Sequence, residues 1–201
     1  SFLHTKKLVD SKKLTGGQAA VQVLKKEKTK HIFGLIGSAT MEMFDALYHE
    51  KDIKFIGVRD ERTGAHMADG YARASRGIGV AMVVPGPGLY NAAAGLSTAY
   101  SSSSPVLMIA GQVPRSSIGK DLGGLHEVND QLEAIKPVTK FQKRVLRPHE
   151  IPGAVSEAFD NLKNGRPRPV EIEMPPETMV ESEDVQLLES SPYIRSEPIN
   201  Q

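Results

Sequence analysis

Residues 55–91 read FIGVRDERTGAHMADGYARASRGIGVAMVVPGPGLYN, and this stretch decides the fold. Two short apolar runs, Phe55–Val58 and Ile78–Val84, flank a segment of helical spacing from about Glu61 to Ser75. A strand, a helix and a second strand in succession are the repeating unit of a parallel sheet with helical crossovers. Glu61 falls where the first strand turns into the helix. That is the carboxyl edge of the strands, where open α/β sheets bind their ligands. Ala65, Ala68 and Ala72 follow Glu61 on one small, apolar helical face. Gly77 is expected to cap the end of this helix. The residues alone leave two readings of Glu61 open: an acid favoured by the helix dipole, or a reactive group at the ligand edge.

On the amino-terminal side, residues 1–14 are polar and lysine-rich and are expected to form a frayed arm. Thr15-Gly16-Gly17 opens a helix from Gln18 to about Lys28, and Ile32–Ile36 reads as a buried strand. Gly37-Ser38-Ala39-Thr40 is a tight loop into a helix Met41–His49, and such a loop offers free backbone N–H groups to a ligand. On the carboxyl side, Pro85–Gly88 is a rigid turn before a helix from Leu89 to about Ser101. That helix carries a second small-residue stripe, Gly88, Ala92, Gly95 and Ala99. The two stripes imply close packing, either on the chain's own elements or between copies of the chain. Further strands are expected at Val106–Gly111, Val138–Phe141 and Pro169–Met174, with a helix from about Glu150 to Leu162. The expectation is therefore an α/β protein of three layers, α/β/α, around a mostly parallel six-stranded sheet. It divides into a polar arm (1–14), one domain (15–180) and a linker or tail (181–201).

Composition narrows the function. The 201 residues carry a net charge of +1, which gives no electrostatic case for nucleic acid or an anionic membrane. Cysteine is absent, which removes disulfide and thiolate chemistry. No apolar run approaches the ~18 residues of a membrane span, and the amino terminus lacks a signal-peptide core. The expected location is the cytoplasm. The histidines His4, His31, His49, His66 and His149 show no metal-ligand spacing, so no metal site is expected in this chain. Gly77-Ile78-Gly79 precedes its strand, whereas a dinucleotide fingerprint places its glycines between strand and helix. A flavodoxin-like nucleotide binder therefore lacks its phosphate loop here.

Four segments carry a resemblance. Val58–Arg73, VRDERTGAHMADGYAR, is similar to the V-R-H-E-x-x-A-x-x-A-E-G-Y-A-R segment of thiamine-diphosphate enzymes of the acetolactate synthase type. Pro85–Asn91, PGPGLYN, resembles their S-G-P-G-A-T-N, and Gly111-Gln112-Val113-Pro114 matches their G-Q-V-P. Gly165–Val170, GRPRPV, resembles their G-R-P-G-P-V. The region matched is the amino-terminal pyrimidine-binding domain. Around Gly37-Ser38 the chain also resembles benzoylformate decarboxylase and, over GLIGSATME, sulfoacetaldehyde acetyltransferase.

The resemblance implies a chemistry. Glu61 aligns with the glutamate that hydrogen-bonds N1′ of the aminopyrimidine and favours the imino tautomer, whose nitrogen removes the thiazolium C2 proton. A glutamate suits that task in an apolar site, where desolvation favours sharing a proton. Pro87 and Asn91 align with the turn beside the pyrimidine. Gly37, Ser38 and Ala39 align with the substrate entrance, although Ser38 also reads as an ordinary helix cap. Residues 116–129 replace a mobile G-x-D-x-F-Q-E loop, with Leu125-His126 where the family has Phe-Gln. His126 reads as a proton donor or acceptor near substrate, or as an exposed loop histidine. The family's G-D-G segment and later Asn-Asn pair, which hold Mg²⁺ and diphosphate, have no counterpart here; the one Asp-Gly, Asp69-Gly70, lies inside the expected helix.

The implied function is the amino-terminal half-site of a thiamine-diphosphate-dependent 2-oxo-acid decarboxylase or carboligase, a lyase or transferase. Its substrate is a 2-oxo acid or aldehyde, its Mg²⁺ is bound by a domain absent from this chain, and it works as a homo-oligomer, a dimer or tetramer. The chain is then a fragment of a longer polypeptide or the pyrimidine-binding subunit of a split decarboxylase. The competing reading is a non-catalytic or regulatory binding module that keeps the fold.

Overall fold

The computed structural model describes residues 8–188. Its main sheet has six strands, all parallel, in the order β3-β2-β4-β5-β7-β6. These strands are β2 (His31–Gly34), β3 (Lys54–Gly57), β4 (Gly79–Val83), β5 (Val106–Gly111), β6 (Phe141–Arg144) and β7 (Val170–Met174). Helices cover both faces. On one side α1 (Gly16–Lys26), α2 (Met41–Tyr48) and α6 (Ile151–Lys163) pack on Val80, Met82, Leu107, Ile109 and Ile172. On the other, α3 (Glu61–Ser75) and α4 (Pro87–Ser101) pack on Phe33, Ala81, Val83, Met108 and Ala110. Alternate residues of each central strand feed the two cores, which gives the three layers expected.

Local chemistry sets the helix starts. Thr15 and Gln18 form a capping box at α1, with Gln18 N–H donating to Thr15 Oγ1 at 3.2 Å and Thr15 N–H to Gln18 Oε1 at 3.0 Å. Asp60 caps α3 by accepting from the Arg62 N–H at 2.9 Å. Helix α4 begins with Pro87 at its first turn, two residues ahead of the expected start, because a fixed φ suits that position. At the end of α3 it is Arg76, at φ 56°, that takes the left-handed cap position expected of Gly77.

The two small-residue stripes meet each other. Gly95 of α4 lies against Ala65 and the His66 backbone of α3, and a Cβ there would overlap them. Ala65, Ala68, Ala72, Ala92 and Ala99 are fully buried. The stripes are thus spent inside the chain and offer no free face for a second copy.

Three sequence expectations change. The termini are not only arm and linker: β1 (Leu8–Thr15) pairs antiparallel with β8 (Ser182–Leu188) in a separate two-stranded sheet. Val185 and Leu187 are buried in the larger core while their neighbours face outward, a period-two pattern hidden among acidic residues. The remainder of those two expectations, residues 1–7 and 189–201, lies outside the described residues. The strand expected at Val138–Phe141 starts at Phe141, since Lys136–Val138 forms a 3-10 turn. Two short helices were not anticipated: α5 (Gln131–Ile135) and α7 (Pro176–Val180). No helix among the described residues is long and apolar enough to cross a membrane.

Candidate functional site

The strand order reverses between β2 and β4. From β2 the chain crosses through α2 to β3 at the sheet edge; from β4 it crosses through α4 to β5 in the other direction. The two helices also lie on opposite faces. The connections leaving β2 and β4 therefore run to opposite sides, and the carboxyl ends of the strands at such a reversal are where doubly wound sheets take their ligands. Gly37 leaves one side and Val84–Gly88 the other. They touch: a Cβ on Gly37 would overlap Val84 Cγ1, and one on Gly88 would lie 2.6 Å from Val84 Cγ2.

Glu61 reaches this place from the next strand. It is the first residue of α3, and it is only 8% exposed. Asn91, one turn into α4, donates from Nδ2 to Glu61 Oε2 at 3.1 Å. No described residue hydrogen-bonds Oε1, and that oxygen faces Gly88 at 3.5 Å from where a Cβ would stand. The carboxylate is thus oriented by one oxygen and open at the other. The positions that side chains of Gly37 and Gly88 would take are filled by the Val84 methyls, which make the wall beside Oε1 apolar.

Asp60, next in sequence, does something different. Its carboxylate faces Arg62, with Nη2 to Oδ2 at 2.6 Å, and accepts the Arg62 backbone N–H. The Arg62 guanidinium and then that N–H hold the Asp60 carboxyl at a pKa of about 2. It is a helix-capping acid already committed to partners on its own turn.

The remaining expected residues fall around these strand ends unequally. Pro87 is exposed on the first turn of α4, between Gly86 and Gly88. Ser38 is exposed in the 3-10 turn Ser38–Thr40; Gly37, not Ser38, occupies the cap position, and no cap bond forms there. The Ala39 carbonyl approaches Gly111 at the end of β5, 3.0 Å from where a Cβ would stand. His126 is half-buried at φ 65°, and its backbone carbonyl, rather than its ring, packs on Gly86. The loop around it is held by Glu127, whose carboxylate accepts the N–H groups of Leu122 at 3.1 Å and Gly124 at 2.8 Å.

A buried polar cluster behind the Gly86 turn was not read from the sequence. Gln131 is fully buried; its Oε1 accepts the Gly86 N–H at 2.7 Å. Its Nε2 donates to the Gly111 carbonyl at 2.9 Å and to Glu173 Oε2 at 2.8 Å. Glu173, also fully buried, takes Gln112 Nε2 at 3.0 Å and the Arg144 guanidinium. Two residues away on the same strand, Glu171 is fully buried with both oxygens unpartnered. Burial first, and then the charge of Glu173, push its carboxyl well above the usual range. The only sequence signal was two glutamates at alternate positions of β7, which reads as a solvent-facing edge. Among the described residues no group of three or more His, Asp or Glu could hold a metal ion.

The fold is an α/β domain with a strand-order reversal between β2 and β4, and Gly37, Glu61 and Gly88 stand at the carboxyl ends of its strands. The chain belongs to the thiamine pyrophosphate enzymes: the family described as "Thiamine pyrophosphate enzyme, N-terminal TPP binding domain" matches residues 14–134. It is 41% identical over 162 residues to a probable acetolactate synthase large subunit of Methanocaldococcus jannaschii, covering 81% of this chain and 27% of that protein. It is 38% identical over 168 residues to the acetolactate synthase large subunit of Haemophilus influenzae, covering 84% of this chain and 29% of the relative. A probable 2-ketoarginine decarboxylase of Pseudomonas aeruginosa is 38% identical over 164 residues, with 82% and 29% covered. The chain thus spans under a third of the length of these relatives.

Proposed function

We propose that this chain supplies the aminopyrimidine half of a thiamine-diphosphate site in a 2-oxo-acid decarboxylase or carboligase of the acetolactate synthase type. The observation that carries the reading is the state of Glu61: buried at the strand ends, oriented by Asn91, and open at Oε1 beside a glycine. An aminopyrimidine offers a ring nitrogen to such an oxygen, and a carboxyl there can hold or return a proton at N1′. The donor set fits the group, because a flat heteroaromatic ring needs one directed polar contact, which Glu61 offers, and an apolar wall, which Val84 supplies between Gly37 and Gly88.

When bound, thiamine diphosphate supplies the acidic C2–H and the electron sink for decarboxylation. The chain's residues divide the remaining work. Glu61 holds the proton at N1′, and Asn91 keeps its carboxylate aimed. Pro87 and Gly88 shape the wall beside the ring. Gly37, Ser38, Ala39 and His126 border the side from which a 2-oxo acid or aldehyde enters. Mg²⁺ and the diphosphate require oxygen ligands from a further domain or a second copy, so the working form is a homo-oligomer. Asp60 takes no part, because Arg62 already occupies it.

The test is Glu61→Gln in the complete enzyme, read by C2–H/D exchange of bound cofactor. Glutamine keeps the size and the bond to Asn91 but cannot share a proton with N1′. Exchange is expected to slow by about 10²- to 10⁴-fold with unchanged circular dichroism. Exchange at the wild-type rate overturns the reading.

A further inference from the structure

We propose that Gln131 is a positioning residue for Glu61, acting through the first turn of α4. The inference rests on the thiamine-diphosphate reading above. Helix α4 starts at Pro87, and the residue at its cap position, Gly86, sits at φ 56° and ψ −113° and has no side chain to cap with. The Pro85–Gly88 segment that leads into it, Pro-Gly-Pro-Gly, has no polar side chain with which to fix itself. Backbone bonds from the Gly88 N–H to the Pro85 carbonyl at 3.3 Å and from the Tyr90 N–H to the Gly86 carbonyl at 2.9 Å close this turn, and a side chain from elsewhere in the chain ties it to the sheet. Gln131 does so by accepting the Gly86 N–H at 2.7 Å.

The Gln131 amide can sit only one way. Its Nε2 protons are both used, on the Gly111 carbonyl and on the Glu173 carboxylate. Turning the amide over would set NH₂ against the Gly86 N–H and oxygen against a carboxylate, which no proton arrangement satisfies. Glu173 is itself fixed by Gln112 and Arg144. A path of hydrogen bonds therefore runs from the carboxyl ends of β5 and β7, through a fully buried amide, to the N–H of the residue that caps α4.

That turn and the α4 residues it leads into carry both neighbours of Glu61. Gly88 lies beside Oε1, and Asn91 donates to Oε2. The same turn is backed by the His126 carbonyl, and the chain then leads from His126 directly into α5 and Gln131. If Gly86 shifts, Asn91 and Gly88 shift with it, and the Glu61 carboxylate loses its aim. Displacements of about 1 Å at a reacting centre can cost 10²-fold in rate.

The experiment compares Gln131→Met, Glu61→Gln and the double variant in the complete enzyme, saturated with cofactor and Mg²⁺. Methionine matches the volume of glutamine and makes none of the three bonds. C2–H/D exchange is expected to slow by about 10- to 100-fold in Gln131→Met. In the Glu61→Gln background the same substitution is expected to change it by less than about twofold, because the effect acts through Glu61. In the cofactor-free enzyme, amide exchange of peptide 84–92 is expected to quicken in Gln131→Met more than that of β5, which separates a local release from general loosening. If methionine prevents folding, Gln131→Asn, one methylene too short to span the three partners, is read in the same way. Slowed exchange in Glu61→Gln with wild-type exchange in the Gln131 variant overturns the positioning role alone. So do fully additive effects in the double variant. Wild-type exchange in Glu61→Gln overturns the cofactor reading and this inference with it.

Discussion

Glu61 and Glu173 are both buried carboxylates near the carboxyl edge of the same sheet, yet they are built for opposite ends. Glu173 has both oxygens filled, by Gln131 on one and by Gln112 and Arg144 on the other. Glu61 has one donor and one open oxygen. A carboxylate that the fold has fully satisfied holds structure together. One left half-satisfied beside Gly88 keeps an oxygen able to accept a further bond, which is what the proposed role needs. Burial alone does not separate these roles; the count of filled lone pairs does.

The contrast predicts that stability and chemistry respond to different glutamates. Glu173→Ala strands the donors of Gln112, Gln131 and Arg144 in the interior and is expected to cost about 3 kcal/mol in urea unfolding. Glu61→Ala removes a single hydrogen bond at the strand ends and is expected to cost about 1 kcal/mol. Equal losses would erase the distinction.

Glu171 sharpens the comparison, since it is buried with neither oxygen filled. Its carboxyl titrates well above the ordinary 4.5 in the folded chain, because of burial and then the charge of Glu173. The unfolded chain releases this proton near 4.5 while the folded chain keeps it. Stability is therefore full below that pH and declines as pH rises towards the folded value. Glu171→Met is expected to raise stability at neutral pH by about 1–3 kcal/mol and to flatten this decline. A wild-type slope retained by the variant would contradict the assignment.

The smallest effect belongs to Asp60. Its carboxyl titrates at about 2, below the usual 3.8, because of Arg62. Its contribution is present above about pH 4 and is lost as pH falls towards 2. Asp60→Asn keeps an N-cap oxygen, so C2–H/D exchange is expected to stay at the wild-type rate, with only the acid part of the stability profile flattened. Slowed exchange would mean that the roles of Asp60 and Glu61 are exchanged.

What the sequence revealed follows the range of the interactions. The span of helix α3 was legible, because its alanine periodicity is local, although Arg76 and not Gly77 takes its left-handed cap position. Motif and strand-end position pointed to Glu61, Asn91 and the Gly37 loop, and the structure brings Asn91 onto Glu61. The Gln131 cluster was not, because its bonds join residues 20 to 61 positions apart. Glu171 and Glu173 imitate a half-exposed strand, although β7 is covered on both faces. The pairing of β1 with β8 joins the two ends of the described chain, and local composition there signals only charge. The alanine stripes were visible, but their partner was not: they pack on each other.

The central claim is that Glu61 meets the N1′ atom of the cofactor. The most direct measurement compares the affinity of the complete enzyme for thiamine diphosphate with that for an analogue carrying C–H in place of N1′. Wild type is expected to bind the analogue about 10- to 100-fold more weakly, the worth of a hydrogen bond to a charged group. Glu61→Ala is expected to bind the two equally. A preference for the natural cofactor that survives in Glu61→Ala would contradict the account.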